Sequence, residues 1–426
     1  MRSLPTFLRQ FLLWSVVATG LCGGTEVFCY LVLHLHFPFN FPIFNPGAFV
    51  YDLVSFKGQF QHFHKLDFFQ SAGQMAFIYP APAALPYWFF YLFGRLTTVA
   101  FFVFSMLVVV ISGAMLGRKW IALGVSARTA VLYLVACFFL SYPFWFELKD
   151  GNMEIVLLAL TIAAVWAFLS GRIWLAAACI GFAMAMKIYP FVFLGLLVAK
   201  KQYRQCVFAV ILAAAVNLFS LWAVCPSIAY SAHQIAAGIA SFRTYAFLRR
   251  LFPEIGYDHS LFALLKAILP HLPSAEVLSK WLNVYLGIVA VAGCALYFLR
   301  IRKLPAANQV ICLTVACILL PPFSLDYTLM HLYVPWSMVT LVVLRVGEQR
   351  IRGLRLILVC FVLLCAPLSE FIFRGRTIEG QIKAVVLLVL FYAATRYPLP
   401  EEMPAVERGA GFKGPVRLQG RDEFAR

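Results

Sequence analysis

Two ionisable side chains stand out because of what surrounds them. Phe49, Leu53, Phe56, Phe60 and Phe63 recur at spacings of 4, 3, 4 and 3, which is an apolar stripe of helical period. Asp52, Ser55, Gln59 and His62 run beside it, also at helical spacing. A helix lying in a membrane–water interface would bury the stripe and present Asp52 upward. At such a half-dry boundary a carboxylate can have its pKa raised and act as a general base. The alternative is a solvated acid that caps or orients this helix. The second side chain is Lys187, in Lys187-Ile188-Tyr189-Pro190, midway along an apolar run. An ammonium buried at membrane depth costs about 2.5–3.5 kcal/mol and usually marks function. The alternative is a lysine snorkelling to the interface. His34-x-His36 and His62-x-His64 invite a metal reading, but residues two apart on a helix point in different directions. No third ligand stands out, so neither a metal nor another cofactor is expected.

The elements that must position these residues follow from composition. Of the 426 residues 63% are apolar and 12% charged, with a mean hydropathy of +0.86 and 42 phenylalanines. Soluble domains average about 45–50% apolar and about 25% charged, and one soluble core could not bury so much apolar surface. The chain therefore reads as an all-α, polytopic membrane protein. The same numbers exclude a secreted disulfide scaffold, a disordered chain and a nucleic-acid binder. The net charge of +17 is attributed to topology, because cytoplasmic loops collect Lys and Arg. The eleven cysteines lie mostly in apolar runs without a Cys-x-x-Cys pair, and read as small buried hydrophobes.

A span needs about 20 apolar residues. The first run, Phe11 to about Phe37, is too long for a signal-peptide core of about 7–15 residues and reads as a retained span. Further runs are Pro86–Leu116, Thr129–Phe146, Met153–Ser170, Gln205–Cys225, Asn283–Leu299, Gln309–Leu320, His331–Leu344, Leu356–Leu368 and Gln381–Thr395. The run Ile173–Ala199 decides the topology. A single crossing there would put Lys200, Lys201, Arg204, Arg300, Arg302, Lys303, Arg345, Arg350, Arg352 and Arg355 outside, against the positive-inside rule. A hairpin broken at Lys187–Pro190 returns them to the cytoplasm, and proline disfavours helix at that point. Each arm is then about 13 residues, or about 20 Å, against hydrocarbon about 30 Å thick. Lys187 should lie in protein below the outer surface. The result is a membrane domain, 1–396, of about twelve helices, with both termini cytoplasmic. The outer loops, about 38–85 and 226–282, carry short interfacial helices, and the tail 397–426 is expected to be disordered.

This topology gathers His36, His62, His64, His233, His259, His271 and His331 on the outer side. Asp52, Asp67, Glu147, Asp150, Glu154, Glu254, Asp258 and Asp326 join them. A channel or pump would instead place ionisable groups deep in several spans, where only Glu26 and Lys187 qualify. No internal repeat is visible, which disfavours inverted-repeat transporters. Chemistry is expected at the outer membrane–water boundary.

The order and spacing of five segments resemble glycosyltransferase family 87, the polyprenol-phosphate-mannose-dependent α-mannosyltransferases of the GT-C class. The segments are Tyr51-Asp52-Leu53, Phe77-Ile78-Tyr79-Pro80-Ala81-Pro82, Asp150-Gly151-Asn152, the run Gly181-Phe182-Ala183-Met184-Ala185-Met186-Lys187-Ile188-Tyr189-Pro190, and Lys200-Lys201. The resemblance covers 45–205 by motif and the rest by hydropathy. One departure is Asn152, where the family is expected to carry the longer Gln.

The resemblance implies a multi-pass enzyme of the cell membrane, expected to be the bacterial cytoplasmic membrane, with its site facing outside. It would take a sugar from a polyprenyl-phosphate donor and pass it to a lipid or glycan acceptor with inversion, needing no metal. An acid of the first outer loop acts as base, and Asp52 is the matching position, with Asp67 and Glu147 as rivals. The phosphate leaving group calls for cations and donors. Lys187 at the hairpin tip fits that role, and so does His331, whose alternative is a helix cap at the interface. Tyr79, Asn152 and Tyr189 can donate to sugar or phosphate. Arg243, with Arg249 and Arg250, is either an acceptor-phosphate clamp or a solvated basic face. The competing readings are a transporter or flippase of a lipid-linked sugar, and a related GT-C enzyme acting on lipid A or protein.

Overall fold

The computed structural model describes residues 4–34, 50–69, 77, 79–248, 255–269, 271–366, 372–373 and 376–400. Its regular structure is helical apart from one two-residue antiparallel ladder, Ile372–Phe373 against Arg376–Thr377. The helices that matter for the site are α1 (Thr6–Leu31), α2 (Tyr51–Ser55), α3 (Lys57–Phe60), α4 (Ala84–Tyr91), α5 (Thr97–Ala122), α6 (Ala127–Phe139), α7 (Tyr142–Asp150), α8 (Glu154–Leu169), α9 (Ile173–Met186), α10 (Leu194–Ala199), α11 (Tyr203–Val224) and α12 (Ile228–Phe242). Later helices are cited by range. Serines start several of them: the hydroxyls of Ser126, Ser227, Ser260 and Ser274 each accept a backbone N–H from the first turn, satisfying donors a helix leaves free.

Helices of two kinds build the bundle. α1, α5, α11 and Ala275–Leu299 are apolar on every side and show most of that surface to the exterior, with Leu21 67%, Val110 62%, Ile211 61% and Val291 74% exposed. Such helices are stable only with lipid as the surrounding medium. At the centre stands Ala306–Leu319, in which every residue from Ala307 to Val315 is buried. Among the described residues five helices have the length and apolarity to cross a membrane, or six if α6 and α7, bent by 55°, form one broken span. That is fewer than the expected count of about twelve. Five further apolar stretches fold as shorter helices, Glu154–Leu169, Ile173–Met186, Tyr189–Ala199, Ala306–Leu319 and Leu354–Cys365, and the run Gln381–Thr395 lies in the 18-residue helix Glu379–Arg396.

The Ile173–Ala199 run is broken where its sequence indicates. α9 ends at Met186, Lys187 is extended (φ −144°, ψ 142°), and the chain resumes as a 3-10 turn at Tyr189–Phe193 leading into α10. Trp174, at the start of α9, packs edge-on against Phe208, near the start of α11, with ring centroids 5.3 Å apart. At the far ends Asn217 of α11 donates to the Ala185 carbonyl. Helices α9 and α11 thus run parallel, so the segment between them must travel back along the bundle.

At the C-terminal end, Asn308 donates to the carbonyls of Ala394 and Tyr397 and accepts from the Leu399 N–H. Residues 397–400 are thereby pinned to the bundle, and 401–426 lie outside the described residues.

Candidate active site

The aromatic stripe forms, although in pieces. α2 and α3 are separated at Phe56, and Leu53, Phe56 and Phe60 are buried against Phe68, Phe77 and Tyr87. Phe49 lies outside the described residues. Gln59, expected on the polar face, is buried. Two left-handed residues bring α2 onto the bundle. Val50 has φ 52°, and Gly151, capping α7, has φ 65°. A Cβ on Gly151 would stand 2.9 Å from the Val50 Cα, so this contact requires glycine. A β-branched valine at positive φ is strained, and such strain gathers at functional sites.

Asp52 is half-buried here, in the first turn of α2. Its Oδ2 accepts from Asn152 Nδ2 at 2.6 Å and from the Tyr79 hydroxyl at 3.2 Å. The shorter Asn152 therefore reaches. Its Nδ2 also lies 3.1 Å from the Tyr79 hydroxyl, and its Oδ1 accepts from Lys187 Nζ at 3.0 Å. Burial pushes the Asp52 pKa above its ordinary 3.8, while the Asn152 amide, the Lys187 charge and the Tyr79 hydroxyl pull it back down. Tyr79 is raised well above 10 by its own burial and by Asp52, which keeps it a neutral donor.

Lys187 is buried, as expected, but it is not an unpaired cation. Its Nζ lies 2.6 Å from Glu154 Oε1, at the start of α8, and hangs over the rings of Tyr79 (5.3 Å) and Tyr327 (5.2 Å). Tyr189 donates to the same Glu154 oxygen. His331 Nε2 is 3.0 Å from Glu154 Oε2, while its Nδ1 has no partner among the described residues. One carboxylate thus collects three of the expected site residues. Six of the seven meet at one end of the bundle, drawn from the first loop, the turn between α7 and α8, the hairpin tip and the 3-10 segment Asp326–Leu332. Arg243 does not join them, because its guanidinium donates to Ser279 Oγ at 3.0 Å and Asn283 Oδ1 at 2.9 Å. Arg249, Arg250, His36 and Glu254 lie outside the described residues.

The rival acids have other partners. Asp67 pairs with His62 at 2.7 Å on a partly exposed turn. Glu147 accepts the Ile155 N–H at 3.0 Å, which satisfies a free donor at the start of α8. Glu154 and Tyr327 were not singled out in the sequence as site residues. The available signal for Glu154 was its place two residues after Asn152, at the start of α8. For Tyr327 it was the same Leu325–His331 segment that supplies His331. Among the described residues no three His, Cys, Asp or Glu side chains are grouped to hold a metal ion.

A half-dry carboxylate held by neutral donors, beside a compensated lysine and several tyrosine hydroxyls, can take a proton from an incoming alcohol. No curated protein and no solved structure matches the chain. The sequence profile of glycosyltransferase family 87 matches residues 77–321, more than half of the chain. The matched stretch contains Tyr79, Asn152, Glu154, Lys187 and Tyr189, and lies between Asp52 and His331. The chain belongs to glycosyltransferase family 87 and is a membrane glycosyltransferase.

Proposed function

We propose that this glycosyltransferase moves a hexose, mannose by resemblance, from a polyprenyl-phosphate donor to a hydroxyl of a lipid or glycan acceptor. The reaction takes place at the outer face of the cell membrane, in a GT-C-type fold. The observation that carries this reading is Asp52: a buried-edge carboxylate whose hydrogen-bond donors, Asn152 and Tyr79, are both neutral. A base paired directly with a cation would have little appetite for a proton, whereas Asp52 is oriented without being neutralised. The acceptor O–H gives its proton to Asp52 as its oxygen bonds to the anomeric carbon. The bond from that carbon to the phosphate oxygen breaks, and its electron pair leaves with the polyprenyl phosphate. Attack opposite the leaving group inverts the centre. A positioned base contributes about 10²–10⁴-fold to such a step.

The leaving phosphate needs donors rather than an acid. Lys187 uses two N–H bonds on Glu154 and Asn152, which leaves the third for an anionic oxygen. His331 reinforces the same group through Glu154. The scheme calls on no metal.

The test is transfer of radiolabel from polyprenyl-phosphate mannose into the lipid fraction of membranes containing wild type or Asp52→Asn. The expected result is transfer by wild type and its loss in a variant that inserts to the same level. Equal transfer by both would overturn Asp52 as the base. Transfer only from a different polyprenyl-phosphate sugar would overturn mannose.

A further inference from the structure

The ion pair beneath Asp52 has a use that its charges alone do not explain. A lysine ammonium only donates, and Asn152 offers it Oδ1 at 3.0 Å. That contact dictates which way the amide faces, because with Oδ1 turned to Lys187 the Nδ2 must point toward Asp52, as it does at 2.6 Å. Lys187 is itself fixed by Glu154 Oε1 at 2.6 Å, and Glu154 in turn is fixed by Tyr189 and by His331 at 3.0 Å. Two carboxylates, Glu154 and Asp52, therefore flank one cation. Glu154 takes it directly, and Asp52 receives it through an amide. We propose that Glu154 is a positioning residue for the base: it holds Lys187 away from Asp52 and locks the Asn152 amide in the orientation that donates to Asp52. The proposal rests on the reading of Asp52 as the base and adds the device that keeps it basic.

The two halves of the device act on Asp52 with opposite sign, which makes them separable. Losing the Asn152 N–H removes a bond to the ionised form, so Asp52 binds its proton more tightly. Losing the Glu154 charge leaves Lys187 uncompensated one side chain away, so Asp52 holds its proton less tightly. The other groups acting on Asp52 are Tyr79 from the first loop, Tyr87 and Tyr91 of α4, Asp150 at the end of α7, and Tyr327. The tyrosines are neutral throughout, Tyr79 alone among them loses a hydrogen bond, from Asn152 in Asn152→Leu, and Asp150 keeps the same neighbours.

The experiment is the pH profile of kcat, at saturating polyprenyl-phosphate mannose, for reconstituted wild type, Asn152→Leu and Glu154→Gln. Asn152→Leu should move the acid limb up by about one pH unit. Glu154→Gln should move it down, with kcat lowered about 10-fold or more and the donor KM changed less than about 3-fold. A Glu154→Gln protein of normal thermal midpoint whose limb stays put, or moves up, overturns the proposal. A change confined to KM does so as well. If Glu154→Gln does not fold, the charge-neutral Glu154→Gln/Lys187→Met variant, which leaves no unpaired buried ion, decides. Its limb should lie above the wild-type position, and a limb at the wild-type position overturns the proposal. A wild type inactive with every polyprenyl-phosphate sugar overturns the proposed function, and this inference with it.

Discussion

Two buried charge clusters sit at the same end of the bundle, and the 3-10 segment Asp326–Leu332 touches both. At one end of that segment His331 joins Glu154, Lys187, Asn152 and Asp52. At its other end Asp326 accepts from Lys383 at 2.7 Å, Lys383 also donates to Glu379, and His259 Nδ1 lies 3.6 Å from Asp326. The second cluster is tied together by further hydrogen bonds. His259 Nε2 lies 3.0 Å from Ser324 Oγ and 3.1 Å from Thr328 Oγ1, and Asp258 accepts the N–H groups of Ser260 and Ser324, each at 2.9 Å. Gly380 comes so close that a Cβ there would meet the Asp258 carbonyl at 2.6 Å. This cluster ties the segment Asp258–Ser260 to the helix Glu379–Arg396. Its acid Asp326 has a cation of its own, so it is a strut. Asp52 has only neutral donors, so it is left with an affinity for protons. The comparison teaches that burial of charge alone does not single out the proposed base, whereas the way its counter-charge is delivered does.

The contrast can be broken at four points. The largest effect belongs to Asp52→Asn, which should lower kcat by at least about 10²-fold with the thermal midpoint little changed, read by radiolabel transfer beside a melting curve. Lys383→Met should do the opposite. It strands Asp326 without its cation and should cost about 3–5 kcal/mol of stability, seen in denaturation, while kcat per folded molecule stays near wild type. Gly151→Ala should fall between the two. Alanine at left-handed φ costs about 1–2 kcal/mol, and displacing Val50 moves α2 off Asn152, so kcat should drop about 10-fold. The smallest effect is expected at His62→Ala, where a half-exposed pair with Asp67 is worth at most about 1 kcal/mol and transfer should not change.

The comparison is sharpened by pH. Because burial holds Asp52 above 3.8, the active carboxylate form is lost as pH falls through that raised value. The acid limb of kcat should therefore lie above the limb a free aspartate would give. A limb at or below pH 3.8 would mean that the base is another group.

Much of the fold was legible in the sequence because lipid simplifies the rules. Apolar runs must become helices, the 4-3-4-3 stripe must pack, and Pro190 must interrupt the run that contains it. Each of these is a local consequence of backbone hydrogen bonding or of helical period. The number of full-length spans was less legible, since an apolar run does not reveal whether it forms one long helix or two short ones bent against each other. Residue type, local surroundings and resemblance singled out Asp52, Asn152, Tyr79, Tyr189, Lys187 and His331, and the fold brings these six together. Arg243 was chosen in the same way, and it is occupied by Ser279 and Asn283 on a neighbouring helix.

By itself, then, the sequence determined the medium this protein lives in, the helical periodicity and the side chains available for proton and phosphate chemistry. Only the tertiary structure decided which acid each cation serves. Glu154 collects Lys187 and His331 from positions 33 and 177 residues away, and Asn152 meets Asp52 across 100. Spacing along one helix fixes which side chains share a face. Pairings across such separations are fixed by where helix ends come to rest, and the difference between Asp326, which has its own cation, and Asp52, which has only neutral donors, lies in those pairings.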